Sequence, residues 1–151
     1  MKYEIVNLEE KRIVGITART NNSDSNMTKI IGGLWNKLYN SGVYNGIKNK
    51  VNNKGIGVYY DYENNEYGEY SVMIGAEVSK GEDISQGAVE KVIDGGKYAR
   101  FTIKGNMVKA VQEFWKELWR MNIDRSYKCD FEEYEMISME EAIINIYISI
   151  N

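Results

Sequence analysis

Two stretches of the chain place apolar residues at helical spacing. Met27, Ile30, Ile31, Leu34, Trp35 and Leu38 follow the pattern i, i+3, i+4, i+7, i+8, i+11, and Met107, Ala110, Val111, Phe114, Trp115 and Leu118 repeat it. That spacing lays one apolar stripe along a helix. Asn26 and Asn106 precede the two stripes, where a side-chain oxygen can accept from the free amides of the first turn. The segments align without a gap at an offset of 80 positions, and Asn26, Met27, Lys29, Trp35 and Leu38 meet identical residues at 106, 107, 109, 115 and 118. Gly32 and Gly33 fall off the first stripe, at a cost of about 1 kcal/mol each relative to alanine.

Around each helix the period becomes two. Arg12 to Thr20 and Lys97 to Lys104 read as strands before the helices. Gly57 to Tyr62 and Tyr70 to Val78 follow the first, and Phe131 to Met136 and Glu141 to Ile150 follow the second. Asn64 to Gly68 carries turn residues and reads as a hairpin loop; Ser41 to Gly55 reads as a longer loop. Each half is therefore strand, helix, strand, strand, with half-repeats at about 1–79 and 87–151 inside a single domain, 1–151. The expected fold is α+β: a duplicated, pseudo-twofold antiparallel sheet with two long helices on one face. A ligand cleft is expected between helices and sheet, or on the sheet's open face.

Composition narrows the chemistry. Among 151 residues there is no histidine, which excludes Ser-His-Asp and Cys-His catalysis and histidine-ligated zinc. One cysteine, Cys129, permits neither an internal disulfide nor a CxxC site, and without a histidine base it reads as structural. The net charge of −3, from 19 basic and 22 acidic residues, does not suit a basic nucleic-acid reader. No apolar run reaches a membrane span, and Met1-Lys2-Tyr3-Glu4 does not begin a signal peptide. The expectation is a cytoplasmic protein with neither metal nor cofactor. Tyrosine outnumbers phenylalanine 12 to 3, a surplus that suits rings facing water or ligand as well as core.

One carboxylate stands out. Alternation along Phe131-Glu132-Glu133-Tyr134-Glu135-Met136 sends Glu133 and Glu135 to one face and Glu132 to the other, beside Tyr134 and Met136. Burying a bare carboxylate costs several kcal/mol unless it is paired, hydrogen-bonded or protonated. Tyrosine hydroxyls, an arginine or a cationic ligand could each supply the compensation, and rings add about 0.5 to 2 kcal/mol per well-placed cation. The alternative is an edge strand whose glutamates are all wet, or an internal Glu–Arg pair. If the last two strands form a hairpin, Tyr147 is expected close to Glu132.

The chain from Ile93-Asp94-Gly95-Gly96-Lys97-Tyr98-Ala99-Arg100-Phe101 into the Trp115 helix, Asp130-Phe131-Glu132-Glu133-Tyr134, and the closing Ile146-Tyr147-Ile148-Ser149-Ile150 resembles the GyrI-like small-molecule-binding superfamily, also called the AraC-type effector-binding domain. Gly57-Val58-Tyr59-Tyr60-Asp61 and Ile74-Gly75-Ala76-Glu77-Val78 fit the same pattern in the first half. The resemblance implies the duplicated fold and a pocket whose central acid is Glu132, faced by Tyr147 and walled by Tyr134, Trp115, Tyr60 and Trp35. Ser149 stands where the family usually has proline. The fold uses nearly the whole chain, so no helix-turn-helix unit and no direct DNA binding are expected.

The function expected is cytoplasmic binding of amphipathic cationic or aromatic small molecules, in drug sensing or sequestration. The alternative is a hydrolase that detoxifies reactive cyclopropane compounds with Glu132 and Tyr147 as catalytic groups, since stand-alone relatives with a similar pocket do so. A protein partner, as in relatives that modulate DNA gyrase, is the third reading. The acidic residues Glu132 to Glu135 with Glu140 and Glu141 read as a solvated hairpin rather than a nucleic-acid mimic.

Overall fold

A computed structural model gives the fold and describes every residue except Glu66, Glu82, Asp83, Ser85, Gln86, Ile137 and Met139, together with the side chain of Met136. The hairpin loop expected at 64–68 and the junction at 79–87 lie partly outside the described residues, as does the placement of Met136 beside Glu132.

The strands are β1 (Glu4–Leu8), β2 (Lys11–Asn21), β3 (Gly55–Tyr60), β4 (Glu69–Val78), β5 (Val89–Ile93), β6 (Gly96–Gly105), β7 (Cys129–Met136) and β8 (Ala142–Ser149). They form one sheet in the order β1-β6-β8-β7-β3-β4-β2-β5, with every neighbouring pair antiparallel. The helices are α1 (Met27–Asn40), the single turn α2 (Val43–Gly46) inside the expected loop, and α3 (Met107–Leu118). Among the described residues no helix is long and apolar enough to cross a membrane. The strand-helix-strand-strand order expected of each half is present in β2-α1-β3-β4 and β6-α3-β7-β8, and β3 pairs with β7 where the halves meet.

Both helices lie on one face. Leu38 packs with Val14, Ile16, Val72 and Ile74; Phe114 and Leu118 pack with Phe101, Ile144 and Ile146. The two helix starts differ. Asn106 accepts from the amides of Val108 at 3.0 Å and Lys109 at 3.1 Å, as its position suggested. Asn26 makes no such cap: its own amide donates to Asp24 Oδ1 at 2.8 Å, so the preceding aspartate organises the start of α1.

Strands β1 and β5, which the periodicity did not indicate, change the shape of the sheet. Each belongs in sequence to one half and pairs with the other: β1 with β6, β5 with β2. Leu8 ends β1 at one edge, and Lys11 begins β2 six strands away. A flat sheet would separate those positions by about 29 Å, whereas three residues of chain reach only about 11 Å. The sheet must therefore roll, and Ile93 and Gly96 impose the same closure from the other half. The roll buries the face away from the helices around Ile13, Val58, Met73, Ile93 and Phe131. Gly15 lies opposite Gly75 in the sheet, where a Cβ on Gly75 would lie 1.9 Å from the Val14 carbonyl oxygen.

Gly75→Ala should cost about 3 kcal/mol or more, because the clash is with backbone. Gly33→Ala in exposed α1, where an added Cβ meets nothing within 4 Å, should gain about 1 kcal/mol. Thermal melts of the two variants check the contrast.

Candidate functional site

Strand β7 occupies the middle of the sheet, and its alternation sends Asp130, Glu132 and Tyr134 toward the helices. Their partners on β3 are Tyr59, Gly57 and Gly55 in that order. The two glycines leave space that α1 uses. A Cβ on Gly55 would lie 2.8 Å from Trp35 Cζ3 and 2.4 Å from the Tyr39 hydroxyl, and one on Gly57 would lie 3.5 Å from Glu132 Oε1. Trp35 can thus lie against bare backbone, its ring 4.8 Å from that of Tyr134 in an edge contact.

Glu132 is 1% exposed. Its Oε1 accepts from the hydroxyls of Tyr59 at 3.0 Å and Tyr134 at 2.8 Å, and its Oε2 accepts from the indole N–H of Trp115 at 2.9 Å. Among the described residues no lysine or arginine bonds to it. Three neutral donors therefore hold a carboxylate with no counter-cation. Burial pushes its pKa above the ordinary 4.5, opposed by the three hydrogen bonds. Burial also pushes the hydroxyls of Tyr59 and Tyr134 well above their ordinary value, and Glu132 adds to both shifts. Both hydroxyls keep their protons at neutral pH and remain available as donors.

Above this layer a cavity of about 510 Å³ opens between α1 and α3. Met27, Ile31 and Trp35 face it from one helix, and Met107, Val111 and Trp115, the same positions of the repeat, from the other. Tyr59, Tyr62, Tyr70, Tyr134 and Trp119 complete an aromatic lining. Tyr59 meets Trp115 and Tyr70 edge-on, at 5.7 and 5.8 Å between centroids. Glu132 lies behind these rings rather than on the cavity surface. A ring that donates to a carboxylate gains electron density, so this lining favours a cation more than isolated rings would.

A second buried acid is balanced. Asp130 Oδ2 accepts from Arg125 Nη2 at 2.7 Å and from the Tyr62 hydroxyl, and Oδ1 accepts from the Ser149 amide at 2.9 Å. The charges of Asp130 and Arg125 cancel, so of the two buried acids Glu132 alone is left without a cationic partner, while Lys116 also lines the cavity. Arg125 also stacks over Tyr127 at 4.3 Å and lies 5.8 Å from the Trp115 ring centre.

Of the residues singled out from the sequence, the structure brings Glu132, Tyr134, Trp115 and Trp35 together and leaves two apart. Tyr147 does not approach Glu132. In the β7–β8 pairing Ile146 stands opposite Glu132, while Tyr147 stands opposite Phe131 and stacks on it at 4.5 Å. Tyr147 points into the rolled interior, where its hydroxyl meets Glu133 and Arg100. Tyr60 shares that opposite face, beneath Lys91 at 4.8 Å, and its neighbour Tyr59 takes the place expected of it. The cavity residues missed include Tyr59, Tyr70, Tyr62, Trp119 and Arg125. For Tyr59 the signal was present in Gly55-x-Gly57-x-Tyr59, whose face lacks the bulk of Ile56, Val58 and Tyr60. Cys129 is buried, and burial raises its thiol to about 12, which fits a structural residue.

Comparison with known proteins places this arrangement. A structure of an integron cassette protein from the mobile metagenome of Vibrio cholerae is 27% identical, matches 97% of this chain and 95% of its own, and superposes with a TM-score of 0.74. SAV2435, solved bound to tetraphenylphosphonium, is 22% identical over 100% of this chain and 94% of its own, with a TM-score of 0.76. The C-terminal domain of EcmrR shares the fold at 14% identity, 100% and 99% coverage and a TM-score of 0.58. Among curated proteins none matches. The family model for the GyrI-like small-molecule-binding domain matches residues 1–151, and the chain belongs to that family.

Proposed function

We propose that the cavity binds aromatic or amphipathic monocations, in drug sensing or sequestration in the cytoplasm. The observation that carries this reading is Glu132, buried beneath an aromatic lining, held by three neutral donors and without a counter-cation. A cation resting on the rings supplies the missing charge, and the apolar helix residues supply contact area. SAV2435 with tetraphenylphosphonium, an aromatic monocation, supports the choice of ligand class. Hydrolysis fits the geometry less well. Both oxygens of Glu132 are engaged by ring donors and neither lies on the cavity surface, so the carboxylate does not present itself to a water beside a ligand.

Charge selection is tested with tetraphenylphosphonium and tetraphenylborate, which share a shape and differ in sign. The protein should prefer the phosphonium. Glu132→Gln should reduce that preference about tenfold or more, about 1.4 kcal/mol. Calorimetric titration gives the ratio, and a ratio unmoved by the substitution contradicts the proposal. The variant should fold, because a glutamine oxygen can accept from Trp115 while its amide donates to a rotated tyrosine hydroxyl.

The same variant has a pH signature. The raised pKa of Glu132 means that the folded chain holds its proton where the unfolded chain has lost it. The stability so contributed is present below the ordinary 4.5 and is lost as pH rises through the folded value. The melting temperature of Glu132→Gln relative to the unaltered protein should therefore climb from about pH 4.5 upward and then level off. Parallel thermal melts across pH check this; a constant difference contradicts it.

A further inference from the structure

Arg125 gives the cavity a second polar feature that charge selection does not use. Its side chain is only 7% exposed and lines the cavity wall. A guanidinium carries five N–H donors. One goes to Asp130; Nε has no hydrogen-bond partner among the described residues but is closed off from the cavity, so donation into the cavity falls to the terminal nitrogens. The pair it forms with Asp130 is electrically neutral, so the feature offers donors without net charge. The strand sets the scale of its separation from the ring donors around Glu132. Asp130 and Glu132 are two residues apart on one face of β7, about 7 Å, and Arg125 is fixed to the first while the ring donors are fixed to the second.

We infer that the cavity selects aromatic monocations bearing one uncharged hydrogen-bond acceptor, such as a ketone, about 7 Å from the cationic centre, with Arg125 donating to that acceptor. This rests on the cation reading above and adds a specificity-determining residue to it. A second positive charge at that end meets the guanidinium, and a carboxylate meets Asp130 behind it. Neither gains what a neutral acceptor gains.

The test compares (4-acetylphenyl)trimethylammonium with its isostere (4-isopropylphenyl)trimethylammonium by calorimetry. The acetyl ion should bind more tightly than the isopropyl ion despite its stronger hydration, and more tightly than 1,4-phenylenebis(trimethylammonium) or 4-(trimethylammonio)benzoate. The acetyl-to-isopropyl affinity ratio should fall about tenfold in Arg125→Lys, which keeps a charge beside Asp130 but loses the planar fork. It should fall as far in the charge-balanced pair Arg125→Gln with Asp130→Asn. The isopropyl ion is the internal reference in each protein, so a general loss of affinity cancels. A ratio that survives both variants, or tighter binding of the dication or the benzoate, overturns the acceptor role. Loss of both ions in both variants also overturns it, since Arg125 would then merely hold the cage. If the unaltered protein binds neither ion, the cation reading fails as well; if it binds the isopropyl ion but shows no preference for the acetyl ion, only the acceptor role fails.

Discussion

The site depends on one unequal exchange, in which a carboxylate gives up water for three neutral hydrogen bonds and no positive partner. Glu132 is held by Tyr59, Tyr134 and Trp115, and these donors satisfy its lone pairs without cancelling its charge. In a low-dielectric interior such a charge is expensive, so a cation brought against the rings gains more there than on a wet surface. The neighbouring Asp130 shows the contrast. Two residues away on the same face, it is neutralised by Arg125, so of the two buried acids only Glu132 keeps its charge unpaired beneath the lining.

The architecture supplies the geometry this requires. Equivalent positions of the two helices, Met27 with Met107, Ile31 with Val111 and Trp35 with Trp115, face one cavity above the strands where the halves pair. Gly55 and Gly57 let α1 lay Trp35 against the backbone, and β7 raises Glu132 into the space left over. The rolled face beneath is packed with Ile13, Val58, Met73 and Phe131, which stiffens the platform that carries the acid. Since β1 and β5 each pair with the opposite half, neither half can close its sheet alone.

Much of this was legible before the structure. The helical stripes and their offset gave α1, α3 and the duplicated order, and two-residue alternation put Glu132 and Tyr134 together on one face. What escaped was the second face of the sheet. The family resemblance put Tyr60 and Tyr147 at the ligand, whereas the structure sends both to the face away from the helices. Strands β1 and β5, five residues each, carry too little pattern to announce themselves, and without them the roll that buries Tyr147 and half-buries Tyr60 is invisible. The facing of Tyr147 also depends on the β7–β8 register, which single-strand alternation does not fix. Asn26 does not cap α1: its own amide is tied to Asp24 Oδ1, two residues earlier, and its side chain accepts from no first-turn amide.

The central claim is that Glu132 senses a cation across the rings, and its own titration reports this most directly. Carbon-13 NMR of the glutamate side-chain carboxyls, with Glu132 assigned by its loss in Glu132→Gln, should show it titrating above the ordinary 4.5 in the free protein. Saturation with tetraphenylphosphonium should move that titration to lower pH, because the bound charge favours the ionised form. An ordinary titration in the free protein, or one that the phosphonium leaves in place, would contradict the account.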